Sequence, residues 1–450
     1  MNYRVPRGTQ DILPPASADW QQAEGVAREL MERFGYSEIR TPVFEMKELF
    51  LRTVGEETDI VQKEMYTFED RKGREFALRP EGTAPVIRSY VENSLWKGNP
   101  LLKLFYMGPM FRYDRPQKGR YRQFHQIGAE AVGSLNPAVD AEVIAMVDMI
   151  LRAVGIERIT VKLNSLGEAE SRQRYTDALK EYFSAVRGQL CGDCDKRLER
   201  NPLRVLDCKA PTCRELAADI PPIEGYLSNE SGEHYENVQA RLTQLGVKYE
   251  KDKHLVRGLD YYTRTAFEFH HGELGSSVAV GGGGRYDRLV SEIGGPDTPA
   301  IGFSLGTERV LLAAERDMQE QAEPPRDRTM IYLAWLGEKA GEAAYLMANV
   351  LRRTARVELD LEGRSMKAQF RQAGKLGAGY VIVLGERELA EGRVQLKDMT
   401  TGEQREISLT DLADFVTKEI IKNRMDKSPH RQIDQNLGGQ LDEALASLQF

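Results

Sequence analysis

Three stretches of the sequence, far apart in the chain, combine residue types that handle anions. FRYDRPQKGRYR, from Phe111 to Arg122, sets Arg112, Arg115, Lys118, Arg120 and Arg122 against one acid, Asp114, and runs on into QFHQIGAEAVG. LVRGLDYYTRTAFEF places Arg257 before a glycine and two tyrosines. VAVGGGGRYDRLV and the following PAIGFSLGTERVLL carry Gly281 to Gly284 and then Arg309. Guanidinium groups are planar, permanently charged forks that match phosphate and carboxylate, and glycines let a backbone approach a ligand. Such a set would support chemistry in which fixed positive charge and positioning matter more than a base, as in phosphoryl and nucleotidyl transfer. The glycine run has no GKS or GKT ending, and no GxGxxG follows a strand, so the P-loop and dinucleotide folds are disfavoured. Each stretch alone also has a plainer reading: a charged hairpin tip, a surface arginine beside core tyrosines, a glycine-rich turn.

The elements that must position these residues are legible in part. A helix is expected from Ser17, which could cap it, with Trp20, Ala23, Ala27, Leu30, Met31 and Phe34 at helical spacing until Gly35 stops it. YSEIRTPVFE reads as a strand with Pro42 near an edge or end. Strand-like runs recur at Glu75–Leu78, Leu101–Met107, Phe124–Val132, Arg158–Asn164, Ala266–Phe269 and Ser277–Val280, which suggests a largely antiparallel sheet with helices on it. A hairpin would put Arg112 on one strand and Gln126, Gly128 and Glu130 on one face of the next, the glycine leaving room for a ligand.

Polar, helix-favouring sequence from about 167 to 254 reads as an inserted subdomain, and QEQAEPPRDR, at 319–328, as an interdomain linker. After it TMIYLAWL, a helix at Glu338–Arg353, a strand at Arg356–Leu359, a helix at Ser365–Leu376 and GYVIVLG alternate as an α/β module. The expected domains are therefore 1–320, 328–424 and a charged tail, 425–450, that is either mobile or a docking helix.

With 450 residues and 41% hydrophobic content the chain is long enough for two or three cores. It lacks a basic start followed by an apolar block, and no stretch is long enough to cross a bilayer, so a cytoplasmic protein is expected. The formal charge of -7 argues against indiscriminate nucleic-acid binding but not against local basic sites. All four cysteines lie between Cys191 and Cys213. That argues against a disulfide framework, and the pairs CGDC and CKAPTC have zinc-ligand spacing.

Taken together, FRYDRPQKGRYRQFHQIGAE, LVRGLDYYTRTAFEF and IGFSLGTERV resemble the histidyl-tRNA synthetases, with VPRGTQDILP and ALRPEGTAPV adding to the match over roughly the first 420 residues. The resemblance implies a class II aminoacyl-tRNA synthetase fold: an α+β catalytic domain with an antiparallel sheet flanked by helices, an inserted helical subdomain, and a C-terminal α/β anticodon-binding domain. It implies a homodimer, because GYSEIRTPVFE resembles the first class motif at the dimer interface. It also implies ATP as substrate, Mg2+, histidine and tRNA(His) as partners, and histidine–tRNA ligase activity.

Residue by residue, Arg112 and Arg257 match the arginines that contact the α-phosphate and the carboxylate, and Arg309 the class arginine at the far end of ATP. Glu81, Gly82 and Thr83 of RPEGT, with Gln126, are expected to hold the amino-group and carboxylate region of histidine. Glu130 is expected to pair with one ring nitrogen while Tyr262 contacts the other side, with Tyr261 and Tyr286 completing a polar pocket. Arg115 and Gln117 resemble the loop that reads the RNA acceptor end, and Arg352, Arg353, Arg364, Lys367, Arg371 and Lys375 are candidates to face the anticodon. The resemblance requires no metal at the cysteines, so no metal ligands are assigned and buried or incidental thiols are the favoured reading. Thr307 departs from the apolar residue the family often has there. The alternative is a noncatalytic paralogue, a regulatory subunit for ATP phosphoribosyltransferase, which typically lacks the C-terminal module and departs in the substrate arginines.

Overall fold

A computed structural model describes residues 3–55, 58–274, 279–318 and 330–426. The chain divides into two compact units, Met1–Gln321 and Ala322–Phe450. The expected linker and the tail beyond 426 lie outside the described residues, as do the first residues of the strand expected at Ser277–Val280.

In chain order the strands of the first unit are β1 (Ser37–Glu38), β2 (Phe44–Met46), β3 (Thr67–Glu69), β4 (Glu75–Leu78), β5 (Leu102–Phe111), β6 (Gln123–Val132), β7 (Ile159–Ser165), β8 (Tyr249–Lys251), β9 (Thr263–His271), β10 (Ala279–Arg285) and β11 (Ala300–Gly306). Eight of them form one sheet in the order β1-β5-β6-β11-β10-β9-β7-β8. Its interior pairs are all antiparallel, and only the edge strands β1 and β8 run parallel to their neighbours. The largely antiparallel expectation therefore holds. Apolar residues alternating on these strands meet the buried faces of helices Ala16–Arg33, Pro137–Ala153, Asn229–Gln244 and Thr307–Met318 in one core around Phe105, Ile127, Val147, Phe267 and Val310.

Helix Pro137–Ala153 starts where Asn136 accepts the Ala138 amide at 2.9 Å and proline occupies the first turn. The first helix instead begins at Ala16 behind Pro15, without a side-chain cap, so Ser17 does not play that part; Gly35, at φ 82°, does end it. YSEIRTPVFE is not one strand. It splits into β1 and β2, which belong to different sheets, because β2 pairs with β4 in a small sheet ordered β2-β4-β3. Arg79 holds the crossing between them, donating to the carbonyls of Thr41 (3.0 Å) and Pro42 (3.4 Å).

Within the expected insertion, helices Ala169–Ser184, Gly192–Arg200 and Pro211–Leu216 share a small core of their own. Helix Asn229–Gln244 and β8 return to the main sheet and its core, so the self-contained part is shorter than the stretch 167–254.

The second unit is a five-stranded mixed sheet of β12 (Met330–Leu336), β13 (Arg356–Leu359), β14 (Tyr380–Gly385), β15 (Arg393–Asp398) and β16 (Gln404–Ser408), in the order β13-β12-β14-β15-β16. The three strands expected there are parallel neighbours; the β15–β16 hairpin is an antiparallel addition not foreseen.

A fully buried ion pair pins the first unit. Arg285 donates to Asp140 at 2.7 Å and Asp287 at 3.0 Å, while His234 meets the other Asp140 oxygen at 3.0 Å. Burial opposes ionisation of Asp140, but Arg285 and His234 outweigh it and hold its carboxyl below the usual range. Arg285→Met is expected to lower the stability of this unit by about 3–5 kcal/mol, because Asp140 is left buried without its counter-charge. Urea unfolding checks it; a loss under about 1 kcal/mol would mean that His234 alone suffices.

Candidate active site

A single cavity of about 290 Å³ opens on the sheet face, and residues from all three sequence stretches border it: Arg112, Arg257 and Arg309, with Glu81, Thr83, Gln126, Tyr261 and Tyr262. Arg120 joins them from the same arginine-rich loop. Arg112 lies just beyond the end of β5 rather than on it, and its Nε donates to the Pro80 carbonyl at 2.8 Å. Arg309, in the first turn of helix Thr307–Met318, donates to the carbonyls of Gly119 (3.1 Å) and Ala279 (2.8 Å). Burial pulls the pKa of Arg112 and Arg309 down, and for Arg309 the nearby Arg120 and Arg112 add to the effect. The cavity is thus a place where positive charge is concentrated at a cost.

The glycines 281–284 form a strand, β10, not a turn. At Gly282 a Cβ would stand 2.8 Å from the Arg257 guanidinium, so the bare backbone is the seat on which Arg257 lies. There Arg257 pairs with Glu268 and sits 5.3 Å from the Tyr262 ring centroid. Burial opposes its charge, but Tyr262 and Glu268 outweigh that and raise its pKa.

The opposite wall is acidic. Glu81 accepts the backbone amides of Thr83 (2.7 Å) and Ala84 (2.9 Å) at the start of helix Thr83–Glu92, and burial raises its pKa. Glu130 and Tyr286 do not border the cavity. They lie one layer behind it, where Tyr286 and Tyr106 donate to the Glu130 carboxyl and Thr83 Oγ1 reaches it at 2.8 Å. Burial pushes the Glu130 carboxyl up to about 8. The expected room beside Gly128 is filled: a Cβ at Gly128 or at Gly82 would meet the Tyr106 ring at 2.4 Å or 2.1 Å. Tyr106 is a residue that sequence reasoning missed, since nothing in LLKLFYMG sets one aromatic apart, and Glu268 and Glu308, which border the cavity, were not singled out either. Gly82 itself faces Tyr106 rather than the cavity. Three polar atoms at the site are buried without a partner, Gln126 Oε1, Tyr261 Oη and Arg257 Nε, as expected where a polar ligand completes the hydrogen bonding.

Arg115 and Gln117 are exposed on the loop joining β5 and β6. That loop is folded rather than free: Gln117 and Arg120 pair across a turn, Asp114 holds Arg120, and Arg122 donates its amide to Gly8 at 2.7 Å. Asp114, Gly119 and Tyr121 of the same loop border the cavity.

An antiparallel sheet that offers its open face to an anion, with fixed arginines and no P-loop, is the plan of the class II aminoacyl-tRNA synthetases. The family model for histidyl-tRNA synthetase matches residues 8–171 and 215–310, and that for an anticodon-binding domain matches 331–419. A histidine–tRNA ligase of Bacillus cytotoxicus is 51% identical over 426 residues, covering 94% of this chain and all of that protein. The crystal structure of apo Staphylococcus aureus histidyl-tRNA synthetase superposes with a TM-score of 0.76 at 40% identity, over 92% of this chain and all of that one. A Bacillus halodurans structure described as an ATP phosphoribosyltransferase regulatory subunit/histidyl-tRNA synthetase shares the fold, with a TM-score of 0.62, 24% identity and coverage of 86% of this chain and 99% of that one. The chain belongs to the histidyl-tRNA synthetase family.

The raised pKa of Glu130 gives a signed prediction. A carboxyl that stays protonated when folded but ionises when unfolded loses stability as pH rises from its unfolded value, about 4.3, towards about 8. Glu130→Gln should therefore gain stability relative to the native chain between about pH 5 and pH 8. Urea midpoints measured across that range would run parallel if Glu130 were ionised in the fold.

Proposed function

We propose that this chain is a histidine–tRNA ligase whose cavity joins histidine to ATP and then passes it to tRNA(His). In the first step the histidine carboxylate attacks the α-phosphorus, forming histidyl-adenylate and expelling pyrophosphate. In the second a ribose hydroxyl at the 3' end of the tRNA attacks the acyl carbon and AMP leaves. The first step brings two anions together, so positioned positive charge is the main requirement. The observation that carries the reading is the convergence of Arg112, Arg257 and Arg309 on one cavity whose other wall holds Glu81, Gln126 and Tyr261.

Arg257, seated over Gly282 beside Glu268, is assigned to the carboxylate and the α-phosphate with Arg112. Arg309, clamped by two carbonyls, is assigned to the far end of ATP. Glu81, Thr83 and Gln126 take the amino group and carboxylate region. The imidazole is selected by Tyr261 and Tyr262 at the cavity and by Glu130 and Tyr286 behind it, a polar lining that would be left unpaired by an apolar analogue. Glu268 and Glu308 border the cavity and offer the hard oxygen donors that Mg2+ takes, and each is already oriented, by Arg257 and by the His125 amide. When bound there, the ion supplies neutralisation of polyphosphate charge.

Arg115 and Gln117, exposed on the loop that also borders the cavity, suit contact with the acceptor end. In the second unit Arg352, Arg353, Arg364, Lys367, Arg371 and Lys375 are exposed and suit an anticodon contact. Among the described residues no helix is long and apolar enough to cross a membrane, and ATP and tRNA assign the reaction to the cytoplasm. A regulatory-subunit reading has no use for the retained arginines or for the second unit.

Homodimerisation is part of the proposal. The small sheet exposes Phe44 and Phe68, whose rings lie 6.0 Å apart, beside an exposed Met46, an apolar patch that a second copy would cover. Paired Phe44→Glu and Phe68→Glu substitutions should convert a dimer into a 50.9 kDa monomer in sedimentation equilibrium. A native chain that is already monomeric at micromolar concentration would refute the assignment.

Histidine-dependent exchange of labelled pyrophosphate into ATP tests the activity itself. Arg257→Ala should lose about 10²–10³-fold in that exchange while keeping its circular dichroism spectrum, and Arg257→Lys should recover little because an ammonium cannot replace a planar fork. Near-native exchange in Arg257→Ala would sink the role given to it.

A further inference from the structure

The cysteines take no part in the site just described, yet the fold brings both pairs to one point. Cys191 immediately precedes helix Gly192–Arg200, Cys194 lies in its first turn, Cys208 follows the turn Pro202–Val205, and Cys213 lies in helix Pro211–Leu216. Their four sulfur atoms all lie within 4.8 Å of one another, and those of Cys191 and Cys208 are 3.8 Å apart. A tetrahedral zinc with Zn–S bonds of about 2.3 Å requires sulfur–sulfur edges of about 3.8 Å. Two disulfides would need only pairwise approach; mutual approach of all four thiols is what a single ion demands. A cluster of several iron atoms would need the sulfurs spread further apart to surround it.

The surroundings fit a closed site. Cys194 and Cys213 are buried, and the other two are half-buried. The Cys191 amide donates to Cys213 Sγ at 3.3 Å and the Ala210 amide to Cys208 Sγ at 3.4 Å, contacts that favour thiolate and fix its direction. The self-contained part of the insertion also has reason to need a staple: its helices close over a small core in which Cys194 and Cys213 are themselves members.

We propose that Cys191, Cys194, Cys208 and Cys213 bind one structural zinc ion that closes the inserted subdomain. The turn between the two cysteine pairs carries Arg204, which donates to the Gly258 carbonyl at 2.9 Å and to Asp260 at 3.3 Å, so the zinc-closed unit braces the segment that bears Arg257.

The test uses the full chain without a histidine tag, purified without chelator, with metals measured by inductively coupled plasma mass spectrometry. One zinc per chain is expected, released in step with thiol modification by a mercurial and read with a zinc-sensitive dye. Cys208→Ser should hold about tenfold less zinc after gel filtration, three thiolates binding far more weakly than four. If that variant fails to fold, the native chain still decides. Folded native protein with less than about one-tenth zinc per chain, with iron in its place, or with four thiols that react without releasing metal would overturn the proposal.

Discussion

The cavity depends on keeping like charges close together without letting carboxylate partners neutralise them. Arg112 and Arg309 are held by carbonyl oxygens, of Pro80 in one case and of Gly119 and Ala279 in the other. Carbonyls fix a guanidinium's direction while leaving its charge available, whereas a carboxylate partner would cancel it. The depressed pKa of both groups marks the cost of that choice. Arg257 and Arg120 are the exceptions, since Glu268 pairs with the first and Asp114 with the second. An anion arriving at this site meets charge already oriented, and no protein reorganisation is required at the moment of reaction.

The sheet makes this possible through what it omits. Strand β10 runs Ala-Val-Gly-Gly-Gly-Gly-Arg through the middle of the sheet, where side chains would normally supply β propensity and packing. Gly282 leaves space for Arg257, and on β11 Gly302 leaves space for the Glu130 carboxyl, which a Cβ there would overlap at 1.6 Å. Side chains from neighbouring segments fill the volume that the strand gives up. At its end β10 carries Arg285, whose buried pair with Asp140 fixes the strand against helix Pro137–Ala153.

Legibility followed the length scale of each signal. Most of the main strands could be read from their apolar runs, and the arginines from their clustering, because both are local; the central strand β11 was not among the strands read, and the order of strands in the sheet was not legible. Where a decision depended on tertiary partners, reading failed. YSEIRTPVFE alternates through two short strands, and only the pairing of β2 with β4 separates them. Gly128 looked like room for a ligand because the Tyr106 ring that occupies the space arrives from the adjacent strand, opposite it in register. Glu130 was expected at the wall, and burial does make it unusual, but the intervening Thr83 comes from a helix nearly fifty positions earlier. The β15–β16 hairpin went unseen because RVQLKDMTTGEQREIS is polar on both sides of its turn.

The insertion contributes no side chain to the cavity, yet it is tied to the chemistry through the backbone of one loop. The segment from Arg257 to Tyr262 is held on its outer side by Arg204 at Gly258 and Asp260, and by Arg172, which donates to the carbonyls of Asp260 at 3.3 Å and of Tyr262. On its inner side Arg257 rests on Gly282 and Glu268 of the sheet. A loop clamped from two directions has few alternative conformations, and a guanidinium displaced by an ångström loses much of its value to a transition state. The sequence between β7 and β9 therefore acts as an external brace on an arginine, which gives a small subdomain that does not line the cavity a direct physical reason to be rigid.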